Sequence, residues 1–196
     1  MSVREHRERA PGMAGIAIVT VSDTRTRETD QSGAFIRACC EAAGHRITDY
    51  RILPDEPERI SALLGDLIGR KDTDAVILSG GTGISGRDRT YEAICSVIER
   101  RLDGFGELFR MLSFQQIGPA AMLSRAVGGV AGGRVVFSLP GSESAVRLAM
   151  EQLILPELGH ILGELGRKLE EAEGSKGPTE PRGPRGRKAD AGGGQE

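Results

Sequence analysis

The sequence predicts an α/β fold, in which a single doubly wound, mostly parallel sheet carries helices on both faces. The first observation is that short apolar runs alternate with longer amphipathic segments along the chain. This alternation is typical of strands connected by crossover helices. The second is that the apolar runs are continuous, which indicates strands that are covered on both faces. Together they predict one domain over residues 14–166.

Four segments are predicted as strands. The first is Gly15–Val21 and the second extends from Arg46 to Leu53. The third, Ala75–Ser79, is followed directly by a glycine-rich segment. The fourth, Arg134–Leu139, ends at Pro140-Gly141. Glycine and proline break regular structure, so these boundaries are well marked.

Five segments are predicted as helices. Ser32 is expected to cap the first helix, which would end at Gly44. The second has apolar residues at positions i, i+3, i+4, i+7 and i+8 between Ile60 and Ile68, which is the spacing of an amphipathic helix. The remaining helices are predicted over residues 90–101, 105–117 and 146–154. The apolar stretch within 105–117 forms either core or an interface between copies.

Length, charge and composition exclude several classes of protein. The chain has 196 residues and a formal net charge of -2, so no broad basic surface indicates a nucleic-acid partner. No apolar run reaches the length of a membrane span, and the N-terminal residues lack the apolar stretch of a secretory signal. The three cysteines, Cys39, Cys40 and Cys95, show no disulfide pattern. The expected compartment is therefore the reducing cytoplasm.

The two ends of the chain differ in composition from the predicted domain. Residues 1–13 are expected to form a flexible leader. Residues 167–196 are rich in glycine, proline and charged side chains and are expected to be a disordered tail, because they hold too few apolar groups to offset the entropy of ordering. The basic stretch Arg182–Lys188 either contacts an anionic partner or only keeps the tail solvated.

The third predicted strand leads into Gly80-Gly81-Thr82-Gly83, here called the glycine loop. Glycines let backbone N–H groups approach an anion closely, and the start of the following helix favours negative charge. Asp88, at the end of this connection, would repel a phosphate unless a cation lay between them. The segment therefore indicates phosphate chemistry with a divalent metal ion. A tight turn without a ligand is the alternative.

Four segments follow predicted strands and are expected to share one rim of the sheet. Sheets of this class bind ligands beyond the carboxyl ends of their strands. The segments are the glycine loop and residues 20–23, 54–56 and 139–142. Asp55 and Asp88 are the two carboxylates with the strongest claim to a chemical role. Alternatively, Asp55 is a turn residue and Asp88 caps the next helix.

These segments resemble the MoaB/MogA family of molybdenum cofactor biosynthesis proteins, which is also seen in the G domain of gephyrin. The resemblance covers residues 15–160. Residues 109–113, Phe-Arg-Met-Leu-Ser, and 122–126, Met-Leu-Ser-Arg-Ala, favour the MoaB branch. The other matching segments are residues 20–23, 30–33, 54–56, 80–83, 87–90 and 139–142.

The resemblance implies a molybdopterin adenylyltransferase, a nucleotidyltransferase that uses Mg2+ and ATP. The terminal phosphate of molybdopterin would attack the α-phosphate of ATP, and pyrophosphate would leave. Asp55 and Asp88 would be catalytic and would hold the metal ion. The residues implied in substrate binding are Ser22, Asp23, Ser32, Gly80, Gly81, Thr82, Gly83, Ser113, Pro140, Gly141 and Ser142.

The resemblance also implies a homo-oligomer, either a trimer or a hexamer, and contacts with other proteins of the cofactor pathway. Two other functions stay open. One is a non-catalytic carrier of molybdopterin, which has no need of the acidic pair Asp55 and Asp88. The other is a nucleotide pyrophosphatase on a related fold, as in the competence/damage-inducible proteins; residues 109–113 favour the transferase over it. The pathway served is that of either molybdenum or tungsten.

Overall fold

The computed structural model describes residues 13–85 and 89–174, with side chains described as far as Gly166. Its strands are β1 Gly15–Val21, β2 Arg46–Leu53, β3 Ala75–Ser79, β4 Arg100–Arg101, β5 Val127–Ala131 and β6 Arg134–Leu139. Its α-helices are α1 Gln31–Ala42, α2 Pro57–Gly69, α3 Thr90–Val97, α4 Asp103–Ile117, α5 Glu143–Ala149 and α6 Leu155–Gly174. A 3-10 helix, Gly118–Leu123, follows α4, and a π-helical segment, Met150–Ile154, joins α5 to α6.

The described strands form one six-stranded sheet in the order β2-β1-β3-β6-β5-β4. Strands β2, β1, β3 and β6 run parallel to one another. At one edge β5 pairs antiparallel with β6, and β4 pairs antiparallel with β5. This arrangement confirms the predicted fold class. The parallel strands direct their carboxyl ends to one rim, so the segments that follow β1, β2, β3 and β6 share that rim.

Helices cover both faces of the sheet, and alternate residues of the strands point to opposite faces. On one face Ile16, Ile18 and Phe137 pack with Ile36 of α1 and with Phe109 of α4. The core of the other face is formed by buried side chains of the same strands and of α2 and α3; they include Ala17, Val19, Val76, Leu78, Ile60, Leu64, Leu67 and Ile94. Strands β1, β3 and β6 are therefore buried on both sides, as their continuous apolar sequences predict.

Two strands were not predicted, and the helix predicted over residues 90–101 is shorter. Helix α3 ends at Val97 because Ile98 adopts an extended conformation, with φ -68 and ψ 120. Arg100 and Arg101 then pair antiparallel with β5. Strand β5 contains Gly128-Gly129, which weakens its sequence signal. The second glycine is required by packing, since a Cβ at Gly129 would lie 2.4 Å from Cγ2 of Ile98.

The predicted cap of α1 was also wrong. The cap is Asp30, whose carboxylate accepts a hydrogen bond from the backbone N–H of Gly33. Ser32 is already inside the helix, fully buried, and donates its hydroxyl hydrogen to the carbonyl oxygen of Gly141. Aspartate and serine cap helices equally well, so local sequence did not separate them. The long-range hydrogen bond to Gly141 holds the side chain of Ser32 away from the cap position.

Both predicted boundaries of the domain lie within the described residues, whereas most of the predicted leader and tail does not. The predicted boundary at residue 166 lies within α6, which continues to Gly174. Most of the predicted leader, residues 1–12, and of the predicted tail, residues 175–196, lies outside the described residues. Within residues 13–85 and 89–174, none of the helices combines the length and apolarity that a membrane crossing requires.

Candidate functional site

The glycine loop leaves β3 with two residues in the left-handed region, Gly80 at φ +102 and Gly81 at φ +63. Neither position has room for a side chain. A Cβ at Gly80 would lie 2.2 Å from the carbonyl oxygen of Val21, and one at Gly81 would lie 1.9 Å from Oγ1 of Thr90. The loop therefore packs its backbone directly against the end of β1 and the start of α3, as only glycine allows.

A pocket of about 380 Å³ lies between the glycine loop and the turn that follows β6. It collects most of the substrate-binding residues that the resemblance implies: Gly80, Gly81, Thr82, Gly83, Ser113, Pro140, Gly141 and Ser142. The remaining wall is mostly apolar and comes from α4, the 3-10 helix and α5. Its members, which sequence reasoning did not assign to the site, are Phe109, Ile117, Ala120, Ala121, Leu123, Ser124 and Ala145.

The turn after β6 is held from below by two hydrogen bonds to one carbonyl. The carbonyl oxygen of Gly141 accepts from Oγ of Ser32 at 3.0 Å and from Nη2 of Arg25 at 3.1 Å. Ser142 then caps α5, its Oγ accepting from the N–H of Ala145 at 3.4 Å. Gly141 also lies against the glycine loop, because a Cβ there would be 3.2 Å from Cα of Gly80. The two walls of the pocket are thus in direct contact.

Arg25 is itself fixed by a buried carboxylate. Asp30 is 1% exposed and accepts hydrogen bonds from Nη1 of Arg25 at 3.3 Å and from the hydroxyl of Tyr50 at 2.7 Å. Burial, together with the bond to Asp30, raises the pKa of the Tyr50 hydroxyl well above its usual value. The hydroxyl therefore stays protonated and acts as a donor, and the arginine balances the buried charge.

A second arginine, Arg125, fixes the glycine loop from the outside. Its guanidinium donates to the carbonyl oxygen of Thr82 at 3.1 Å and also to that of Gly83. It pairs with the carboxylate of Glu92 on α3 and lies over the ring of Tyr91, 4.9 Å from the ring centre, which is within the distance of a cation–π contact. In a planar trans peptide the N–H points away from the carbonyl, so the N–H groups that follow these carbonyls point away from Arg125.

Asp55 lies behind the glycine loop, at the carboxyl end of β2. Its Oδ1 accepts a hydrogen bond of 2.9 Å from Oγ1 of Thr90, the first residue of α3. Its Oδ2 would be 2.8 Å from a Cβ at Gly81. The backbone N–H of Asp55 donates to Oδ1 of Asp23 at 3.4 Å, so the carboxylate of Asp23 lies beside the backbone of Asp55. Asp55 lies against the glycine loop, as expected of segments that share one rim of the sheet, but neither Asp23 nor Asp55 lines the pocket.

Of the two residues predicted to hold a metal ion, only Asp55 is among the described residues. Asp88, the predicted partner of Asp55, lies outside the described residues. In the described part of the chain, no three His, Cys, Asp or Glu side chains form a group that could hold a metal ion. Asp23 and Asp55 offer carboxylate oxygens, which are the ligands that Mg2+ prefers. The donor type at this rim therefore fits magnesium.

Two other predicted residues act on the site without lining the pocket. Ser32 is buried beneath Gly141, as described above. Ser22 directly follows β1, and its Oγ accepts from the N–H groups of Thr24 and Arg25. Ser22 lines a separate cleft on the other side of the β1 end. The sequence pattern placed Ser22 at the rim, whereas Ser32 was implied in the site only by the resemblance.

An apolar surface borders the pocket on α4 and the 3-10 helix. Phe109 of α4 is 1% exposed and faces the core, whereas Phe114 is 58% exposed. The apolar stretch predicted as core or interface therefore divides into a core face and an exposed face. We call the exposed face the apolar face; its members are Leu108, Met111, Phe114, Ile117, Met122 and Leu123.

Comparisons with known proteins agree with this architecture. A family model described as "Probable molybdopterin binding domain" matches residues 17–160. The chain is 52% identical over 166 residues to molybdenum cofactor biosynthesis protein B of Halalkalibacterium halodurans, covering 84% of this chain and 98% of the relative.

Solved structures give the same result. A crystal structure of a molybdenum cofactor biosynthesis protein B has a TM-score of 0.78 and 51% identity, covering 81% of this chain and 99% of the other. The tungsten cofactor synthesizing protein MoaB of Pyrococcus furiosus has a TM-score of 0.72 and 35% identity, covering 80% and 99%. The chain therefore belongs to the MoaB/MogA family of molybdenum cofactor biosynthesis proteins.

Proposed function

We propose that this protein acts in molybdenum cofactor biosynthesis by binding molybdopterin and adenylylating it with Mg-ATP. The observation that carries the proposal is the pocket between the glycine loop and the 139–142 turn, which lies beside the carboxylate of Asp55. Family membership supports the pterin as ligand. The proposed reaction joins a phosphate oxygen of molybdopterin to the α-phosphorus of ATP and breaks the bond from that phosphorus to the β-phosphate oxygen, which releases pyrophosphate.

The pocket has the chemistry that a phosphorylated pterin requires. Backbone N–H groups of the glycine loop suit a phosphate, because the glycines allow close approach. The wall formed by Phe109 and its apolar neighbours suits a flat ring system. Ser113 and Ser142 add hydroxyl groups that can orient polar ring atoms. Each part of the proposed ligand thus has a matching wall.

The residues around the pocket would act mainly by positioning. Phosphoryl and nucleotidyl transfer need alignment and charge neutralisation more than covalent chemistry. Arg125 holds the glycine loop through two carbonyls, and Arg25 holds the turn opposite through one. A bound Mg2+ would neutralise phosphate oxygens, and Asp55, with Asp88 as the residue implied by the resemblance, would hold it. Asp55 would also fix the start of α3 through Thr90.

The test is turnover in matched variants. Purified protein is incubated with molybdopterin and Mg-ATP, and pyrophosphate release is measured. Asp55→Asn keeps an acceptor for Thr90 but removes the charge, so we expect a loss on the order of a hundredfold, with pterin binding kept. Asp66→Asn, an exposed aspartate of α2, is the control and should behave as wild type. Pterin binding without pyrophosphate release would favour the carrier function, and ATP cleavage without pterin would favour the pyrophosphatase.

We further propose that the protein assembles as a trimer or hexamer through the apolar face. Six large apolar side chains of this face are each at least 47% exposed. A contiguous exposed apolar surface is typical of a protein–protein interface. Because Ile117 and Leu123 also line the pocket, a neighbouring copy would close one of its sides. Light scattering that shows a stable monomer at micromolar concentration would contradict this assembly.

A further inference from the structure

A second cleft opens at the same rim, beyond the carboxyl ends of β1 and β2. Its volume is about 400 Å³. Three arginines line it, Arg25, Arg27 and Arg51, together with the hydroxyl-bearing residues Ser22, Thr26 and Tyr50. We call it the arginine cleft. Among the described residues, no arginine lines the pocket at the glycine loop, so the described walls of the two sites differ in chemistry.

The arginine cleft has cationic and donor capacity that the fold leaves unused. The guanidinium of Arg27 donates to the carbonyl oxygen of Tyr50 and lies 4.8 Å from the centre of that ring. It forms no ion pair with a carboxylate in the part of the chain that the structure describes. The carboxylate of the adjacent Glu28 accepts instead from the Thr26 hydroxyl at 2.6 Å. Arg27 is therefore the cation most open to an added anion.

The other groups of the cleft support the same charge. Arg51 pairs with Asp49 at 2.8 Å but is 60% exposed, so it can rotate toward a ligand. Ser22 accepts two backbone hydrogen bonds, and its own hydroxyl hydrogen is used by no hydrogen bond among the described residues. Guanidinium forks and hydroxyl donors are the groups that bind phosphate oxygens. The cleft is thus suited to a polyphosphate.

The arginine cleft also has the right place relative to the proposed reaction. Ser22 and Pro54, which line it, directly precede Asp23 and Asp55 in the chain. On its other side Asp55 meets the glycine loop at Gly81. Arg25 belongs to both sites, because it lines the cleft and holds the carbonyl of Gly141 in the pocket. The carboxylates therefore stand between the two sites.

We propose that the arginine cleft binds the polyphosphate end of the nucleotide, the β- and γ-phosphates of ATP and then the released pyrophosphate. The proposal rests on the proposed function, which requires a second site beside the pterin pocket. It assigns Arg27 and Arg51 to phosphate binding and gives Ser22 a role as a donor. The glycine loop would hold the pterin phosphate, and the reacting α-phosphate would lie near Asp55, between them.

Calorimetric titration tests the proposal without any turnover. Mg-ATP, inorganic pyrophosphate and molybdopterin are titrated separately into wild type, Arg27→Gln, Arg51→Gln and the double variant at one ionic strength. We expect each single variant to weaken ATP and pyrophosphate by about tenfold, the usual effect of one charge-assisted hydrogen bond. Glutamine at position 27 can still donate to the carbonyl of Tyr50. Molybdopterin affinity should not change.

The matched control is Arg37→Gln. Arg37 of α1 pairs with Glu41 at 2.8 Å and is 53% exposed, much as Arg51 pairs with Asp49, but it does not line the cleft. It should bind both anions as wild type does. Wild-type affinity for ATP and pyrophosphate in the double variant would overturn the proposal, and so would weakened ATP with unchanged pyrophosphate. Binding that depends on Arg27 in a protein that makes no adenylylated pterin would uphold the cleft and refute the proposed function.

Discussion

The substitution Gly81→Ala tests whether the glycine loop depends on the absence of a side chain. The residue has φ +63, where an L-residue with a Cβ is less stable by about 1–2 kcal/mol. The added Cβ would also lie 1.9 Å from Oγ1 of Thr90 and 2.8 Å from Oδ2 of Asp55. The side chain of Thr90, which is buried, must move; this breaks its hydrogen bond to Asp55 and costs about 1–2 kcal/mol more.

The two contributions give a loss of about 3 kcal/mol, which corresponds to a fall in melting temperature of roughly 6–12 °C for a chain of this size. Gly133→Ala is the control. Gly133 has φ +73 but open space around its Cβ position, so it measures the backbone contribution alone, about 1–2 kcal/mol. Denaturant unfolding gives both free energies, and titration with molybdopterin should show at least about tenfold weaker binding for Gly81→Ala only. Equal destabilisation of the two variants with unchanged pterin binding would show that the glycine loop does not depend on the absence of a side chain at Gly81.

Three further predictions concern other elements. Arg125→Ala releases two carbonyls of the glycine loop and should weaken molybdopterin by about tenfold in a fluorescence titration; wild-type affinity would rule out its role in holding the loop. Phe114→Glu places a charge in the apolar face and should give monomers by light scattering with little change in melting temperature, whereas an intact oligomer would exclude this face as the interface. Burial lowers the pKa of His45 below its ordinary 6.5, so the unfolded chain binds more protons and stability should fall as the pH falls below about 7. His45→Asn, which can still accept from Ala14, should remove that pH dependence; an unchanged pH profile would contradict it.

Local sequence was sufficient for the parallel core of the fold. Strands β1, β3 and β6 are mostly continuous apolar runs and β2 is a mixed polar and apolar segment; all four are bounded by polar or turn residues, so their limits agree with the structure. Strand β5 was not predicted because Gly128-Gly129 has little strand preference and forms a strand only by pairing with β6. The short strand at Arg100–Arg101 depends in turn on β5. Long-range pairing of this kind leaves no local pattern.

The same division holds at the site. The glycine loop and the 139–142 turn were predictable, because glycine and proline at strand ends mark backbone geometry directly. The supporting arginines were not assigned to the site, since Arg25 and Arg125 act through backbone carbonyls far away in sequence. The apolar residues of α4 form a recognisable pattern in the sequence. The side of the helix that faces the pocket, however, depends on how the helix packs. Side chains that act through contacts at long range need the fold before they can be interpreted.

We propose that the pocket at the glycine loop presents molybdopterin to ATP for transfer of an adenylyl group. The most direct measurement is a single-turnover reaction of the full chain with molybdopterin, Mg2+ and ATP labelled at the α-phosphate. We expect the label to move onto the pterin in a one-to-one ratio with released pyrophosphate, and we expect Asp55→Asn to slow this transfer while pterin stays bound. Bound molybdopterin that acquires no label from wild-type protein would contradict it.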